Sequence, residues 1–203
     1  KYHLNASIRR DGSSVFGADK KWGNFPSVGL AWTISNEDFL ANNKFINYMK
    51  LKASYGKNGN QGIDAYGTLA RVNSGSDGGI RYEFGDNPSS ILYGVQLSSL
   101  ANPNLGWETT TAFNSGFQSR LLDNKISLDV DFYFSKTTDQ IFLRNIPIMT
   151  GFETILSSLG QIDNSGLEIN LGSTNIKTDN FTWTSNLNYW KNRNKLASLY
   201  GDD

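Results

Sequence analysis

From Ile126 to Phe134 the chain reads Ile126-Ser127-Leu128-Asp129-Val130-Asp131-Phe132-Tyr133-Phe134, apolar at every second position. Side chains of an extended strand leave its two faces alternately, so this stretch has one oily face and one wet face that carries two carboxylates. The separation recurs along the chain. Leu4, Ala6 and Ile8 share a face, as do Val28, Leu30, Trp32 and Ile34, and as do Met49, Leu51, Ala53 and Tyr55. Such a sheet can either pack its oily face on a second protein layer or turn it towards lipid.

The alternation predicts about seven long strands, at about residues 1–10, 25–35, 48–56, 107–121, 125–138, 166–176 and 181–190. Charges fall on the wet parity: Arg9, Lys50, Lys52, Glu108, Arg120, Asp129, Asp131 and Glu168. On a lipid-facing parity, Lys or Arg at mid-membrane would cost about 2–4 kcal/mol. Lys191 has the oily parity and is expected at a strand end, where that cost fades. The links alternate in length. Asn36 to Asn47, with a helical turn expected at residues 37–40, Leu122 to Lys125, and Asn175 to Asn180 are the shorter ones. About residues 11–24, 57–106 and 139–165 form long loops, the second of which contains a short strand near residues 66–72.

Long strands, aromatics near both ends of the oily faces (Tyr2, Trp32, Tyr55, Trp183, Tyr189) and alternating short turns and long loops are features of a transmembrane β-barrel wall. The fold expected is therefore all-β, an antiparallel meander of about seven strands forming part of a larger barrel. Seven strands leave open edges, and an unpaired backbone edge in hydrocarbon costs several kcal/mol per group. The chain is accordingly expected to be a piece of a longer protein. The competing architecture is a secreted soluble β-sandwich that binds carbohydrate, since sandwich strands alternate too. Its strands usually span about five or six residues, shorter than those read here.

Composition removes other classes. Mean hydropathy is −0.43, and no run of about 20 apolar residues exists to make a membrane helix. A barrel spreads its apolar residues over alternate positions, so this value is compatible with it. The 19 basic and 19 acidic residues cancel, which argues against a nucleic-acid binder. With no cysteine, there are no disulfides, thiolate metal sites or thiol chemistry. His3 is the only histidine and cannot build a common zinc site unaided.

Five stretches in order carry a family resemblance: residues Arg10-Asp11-Gly12-Ser13-Ser14-Val15-Phe16-Gly17; Trp22-Gly23-Asn24-Phe25-Pro26-Ser27; Leu51-Lys52-Ala53-Ser54-Tyr55-Gly56 with Gly59-Asn60-Gln61; Leu100-Ala101-Asn102-Pro103-Asn104-Leu105-Gly106-Trp107-Glu108-Thr109-Thr110; and Gly160-Gln161-Ile162-Asp163-Asn164-Ser165-Gly166-Leu167-Glu168. With these motifs the chain resembles SusC/RagA-type TonB-dependent transporters of the Bacteroidota outer membrane over essentially its whole length. Gly106 and Ser165 stand where that family often has a basic residue, and both are expected in surface loops. The resemblance implies a barrel of about 22 strands in the cell outer membrane. It also implies import of glycans or oligopeptides, a SusD-like surface lipoprotein as partner, and energy from TonB through parts of the protein outside this stretch.

No catalytic residue, cofactor or metal is expected. Asp129 and Asp131 share a face, and a glycosidase pair would sit about 5–9.5 Å apart around a sugar, but hydrated wall carboxylates are the simpler role. Asp11-Gly12-Ser13-Ser14 reads as a turn, and Gly56, Gly59 and Gly62 lack the setting of a phosphate loop. Aromatic faces stack on sugars and amides bond hydroxyls. This makes Trp22, Tyr66, Tyr82, Tyr93 and Trp107 the candidate loop contacts to substrate or partner. Packing of loop against loop is the competing role for each.

Overall fold

The computed structural model describes residues 1–40, 43–74, 81–83 and 91–199. Its strands are β1 (Tyr2–Gly12), β2 (Trp22–Thr33), β3 (Ile46–Asn60), β4 (Arg71–Ser74), β5 (Arg81–Glu83), β6 (Ile91–Tyr93), β7 (Val95–Ser99), β8 (Glu108–Leu121), β9 (Ile126–Thr138), β10 (Ile141–Asn145), β11 (Thr154–Ser158), β12 (Gln161–Lys177) and β13 (Thr182–Ser198). Seven of them form one antiparallel sheet in the order β1-β2-β3-β8-β9-β12-β13, a meander with an open edge at each side. The other strands make three two-stranded ribbons, β4-β7, β5-β6 and β10-β11, within the long links.

Register carries each face continuously from strand to strand. One row runs Tyr2, Trp32, Leu51, Phe117, Val130, Ile169, Tyr189, and the next runs Leu4, Leu30, Ala53, Ser115, Phe132, Leu167, Lys191. A slip of one residue in any strand would turn its whole apolar set to the wet side. Tyr2 and Trp32 stack at 5.7 Å. The Trp32 indole also donates a 2.9 Å hydrogen bond to Glu37 Oε1, which holds that carboxyl below its ordinary pKa.

No second protein layer covers the oily face among the described residues. Leu4 is 72% exposed, Leu30 57% and Leu187 63%. The buried large apolar residues among those described are Phe16, Phe25 and Leu105, and all lie at the loop end of the sheet. A sandwich would bury the apolar face between two sheets, so that architecture is excluded.

The sheet departs from the sequence reading mainly at strand ends. β12 and β13 each run 17 residues. Lys191 therefore sits inside a strand, not at its end, and Ser165 lies inside β12 opposite Phe134 and Arg193, not in a loop. The helical turn is a short 3₁₀ segment, Asp38–Leu40, preceded by another at Ile34–Asn36. The short strand of the second long link begins only at Arg71, whereas Tyr66 to Leu69 form a turn with Tyr66 at φ 64°. The β8–β9 turn places Leu122, Asp123 and Asn124 in succession at positive φ. It is tied to the neighbouring link by Leu122 N–H to Phe45 O at 2.9 Å and Asn124 N–H to Asn47 Oδ1 at 3.1 Å.

Val130 and Asp131 are adjacent on β9 and face opposite ways. Val130→Lys in the full-length protein is expected to cost about 2–4 kcal/mol of membrane stability. Asp131→Asn is expected to cost no more than about 1 kcal/mol. Urea titration of the folded, heat-modifiable band in gels measures both, and equal losses would contradict the facing.

Candidate functional site at the wet face and the loop cluster

The wet face presents His3, Asn5, Lys52, Asn114, Asp131 and Tyr133 around one hollow. Its central feature spans three strands. Lys52 on β3 and Asp131 on β9 both pair in register with Gly116 on β8. Lys52 Nζ reaches Asp131 Oδ1 at 2.7 Å over the glycine. A Cβ on Gly116 would lie 2.1 Å from Asp131 Oδ1 and 2.2 Å from Lys52 Cε, so the bridge exists because that position has no side chain. Gly166 is used in the same way: a Cβ there would meet the Tyr133 ring at 2.4 Å. Gly29, Gly56 and Gly172 have the same wet parity.

Both sides of the ion pair are more than a third exposed, which keeps its energetic worth within about 1 kcal/mol. Asp131 is thus engaged by a cation across the wall. The row continues to Glu168, and Asp129 pairs with Gln118 and Asn170 one row on. Among the described residues, no group of His, Asp and Glu could hold a metal ion. The arrangement offers hydrogen bonds and charge to a hydrated interior.

At the loop end, segments from all three long links lock together. Trp107 is the hub: its ring meets Phe16 at 5.3 Å and Phe25 edge-on at 5.4 Å, and its indole N–H donates to Lys21 O at 3.2 Å. Leu105 beside it is completely buried. Gly59 leaves the space the Phe25 ring occupies, since a Cβ there would lie 2.1 Å from that ring. Thr68 Oγ1 donates to Val15 O at 3.3 Å. Asn102 completes the link, with its N–H on Thr68 O at 3.0 Å and its side-chain amide on Leu156 O, in the β10–β11 ribbon, at 2.7 Å.

The candidate loop contacts separate accordingly. Trp107 is committed to holding loops together. Trp22 is 62% exposed, with the Arg10 guanidinium 4.9 Å above its ring, and Tyr66 is 71% exposed at its turn. Among the described residues no ring contact or hydrogen bond joins these two. Tyr82 and Tyr93 fall on the paired strands β5 and β6, and their side chains lie outside the described part of the structure. Asn102, Thr68, Phe16 and Leu105 went unrecognised as loop-packing residues in the sequence. Three of them sit in family motifs, but only their long-range partners reveal the role.

A family model described as TonB dependent receptor-like, beta-barrel, matches residues 1–203. The chain belongs to that family. TonB-dependent receptor P26 of Formosa agariphila is 38% identical over all of this chain. TonB-dependent receptor SusC of Bacteroides thetaiotaomicron is 34% identical, again over all of it. In each case the chain spans 20% of the relative's length. Among solved structures, the RagAB peptide importer matches with a TM-score of 0.84 and 28% identity in both its "closed-closed" and "open-open" states, over 98% of this chain and 21% of that one. The siderophore receptor PirA of Pseudomonas aeruginosa shares the fold alone, at 18% identity and a TM-score of 0.54. The chain is thus a stretch of outer-membrane receptor wall, with hydrocarbon against the face of Leu128 and Val130 and no enzyme among the relatives matched.

Gly59→Ala forces a methyl into the Phe25 ring, whereas Gly29→Ala meets only Ser54 Cβ at 3.9 Å. Overpacking of this kind costs about 1–3 kcal/mol. Gly59→Ala in the full-length receptor should therefore raise hydrogen exchange in residues 13–21 and 100–107, and Gly29→Ala should leave it unchanged. Equal exchange in both variants would show that the cluster does not depend on this packing.

Proposed function

We propose that the receptor containing this wall is an energised importer of glycans or oligopeptides that works with a SusD-like surface lipoprotein and draws on TonB. In this reading the segment contributes no covalent chemistry. It supplies hydrated wall and the loops around the entrance. The observation that carries the proposal is the pairing of a match to SusC and RagAB relatives over essentially all of this chain with an apolar face left bare beside a charged, glycine-lined one. The peptide half of the substrate class is lent by RagAB, which is a peptide importer. Exposed Trp22 and Tyr66 are the proposed contacts to substrate or lipoprotein from this segment, together with Tyr82 and Tyr93 of the same long link as Tyr66.

Uptake of fluorescently labelled oligopeptides and oligosaccharides by cells that carry the full-length receptor is the direct test. Uptake of one class should disappear when TonB or the lipoprotein is deleted. Trp22→Ala and Tyr66→Ala should each weaken capture at the cell surface about three- to tenfold, the worth of one stacking contact, with folded receptor levels unchanged. Uptake that persists without TonB would refute the energised mechanism. Unaltered capture in both variants would remove these residues from the contact set.

A further inference from the structure

Two of the long links face each other across a hollow of about 420 Å³. One wall belongs to the second link. It consists of the turn at Asp64, Arg71 at the start of β4, and the end of β7, where Ser99 pairs with Arg71. The other wall is the β10–β11 ribbon, on which Leu143 and Leu156 are cross-strand partners and share a face. Asn102 fixes the spacing of the two walls, because it bonds Thr68 O in the first and Leu156 O in the second. No lining residue comes from β1 or β13, so the hollow owes nothing to the open edges of the sheet.

Its lining has the character of a small-ligand site, apolar with a few charged groups at its border. Leu100, Leu143 and Leu156 supply the apolar surface, and Leu143 is 65% exposed. Arg71 donates from Nη2 to Ala65 O at 2.8 Å. That bond steadies the guanidinium and uses one of its five N–H donors. Asp64 is exposed. Among the described residues no ion pair joins Asp64 to Arg71, although both border the same hollow. Opposite charges held apart beside an apolar floor complement a molecule that carries both signs and an oily side chain. The end of an oligopeptide has that chemistry, whereas a neutral glycan has neither the charges nor the side chain. Arg takes a carboxylate bidentately, and capture of a C-terminal carboxylate is a recurring mode of peptide recognition. The volume lies near the low end of the range for small-ligand pockets, about 300–1,000 Å³, which suits a peptide end rather than a folded partner.

We infer that this cleft is a subsite for the carboxy-terminal end of an oligopeptide whose last side chain is apolar. The carboxylate sits on Arg71, the side chain lies against Leu143 and Leu156, and Asp64 attracts the peptide's positive charge. The inference rests on the importer reading above and narrows its substrate class to peptides. Tyr66 belongs to the same turn as Asp64, so the contact proposed there adjoins the cleft.

The test is calorimetric titration of the purified full-length receptor in neutral detergent, with neither lipoprotein nor TonB present. The probes are lysyl-alanyl-leucine, its C-terminal amide, and maltotriose. Wild type should bind the free tripeptide at least about tenfold more tightly than the amide, the worth of a hydrogen bond to a charged group. Maltotriose should not displace it. Arg71→Gln should bring the free tripeptide down to the affinity of the amide and leave the amide unchanged, a pattern that loosening of the turn alone would not give. Asp64→Asn should weaken the tripeptide about two- to fivefold. Leu143→Glu, on the other ribbon, sets a carboxylate against the bound one. It should weaken the tripeptide at least about tenfold, a readout that stands even if Arg71→Gln fails to fold. No binding of the tripeptide, equal affinity for tripeptide and amide, equal binding by wild type and Leu143→Glu, or displacement by maltotriose would overturn the proposal. Peptide uptake that persists without TonB would refute the energised importer and leave this binding result intact. Energised peptide uptake without the Leu143→Glu effect would sink the subsite alone.

Discussion

A peptide N–H or C=O in hydrocarbon has no water to bond, and each one left unpaired costs several kcal/mol. That constraint organises the whole molecule. It forces extended segments to pair edge to edge, and the meander from β1 to β13 satisfies it at every internal strand. It also explains why so little of the chain resembles a globular interior. Hydrophobic residues that would build a core elsewhere are spent on an outward face, where lipid replaces protein as their solvent. Stability then resides in the backbone ladders, and side chains mainly decide which way the sheet faces.

With the sheet supplying the ladder, side-chain packing is free to concentrate at the loop rim. The cluster of buried Phe16, Phe25 and Leu105 around half-buried Trp107 is a small protein core attached to the end of a membrane wall. The inner face follows a different logic. There the glycines withdraw side chains so that neighbours can reach across them, as Lys52 reaches Asp131 over Gly116. Polar groups thereby satisfy one another along the wall without filling the interior space.

The sequence disclosed whatever is periodic. Alternation between Ile126 and Phe134 was enough to assign facing, because a period of two is a local property of an extended backbone. Strand ends were less legible. Past Trp190 the oily parity turns to Lys191, Arg193 and Lys195, which resembles the end of a strand if apolar character is the guide. Backbone pairing continues because water outside the membrane tolerates either kind of side chain. Ser165 was misplaced in a loop for the same reason. The rim cluster was not legible at all: the partners of Asn102 are Thr68 and Leu156, far apart in sequence, and no local pattern announces such a meeting.

Asn102 binds one long excursion of the chain to another, and Trp107 binds that excursion to a third. Grafting a single excursion from a sister receptor would leave these anchors without their counterparts. The three excursions form one interlocked unit at this rim, so a change at one anchor disturbs the seating of the other two.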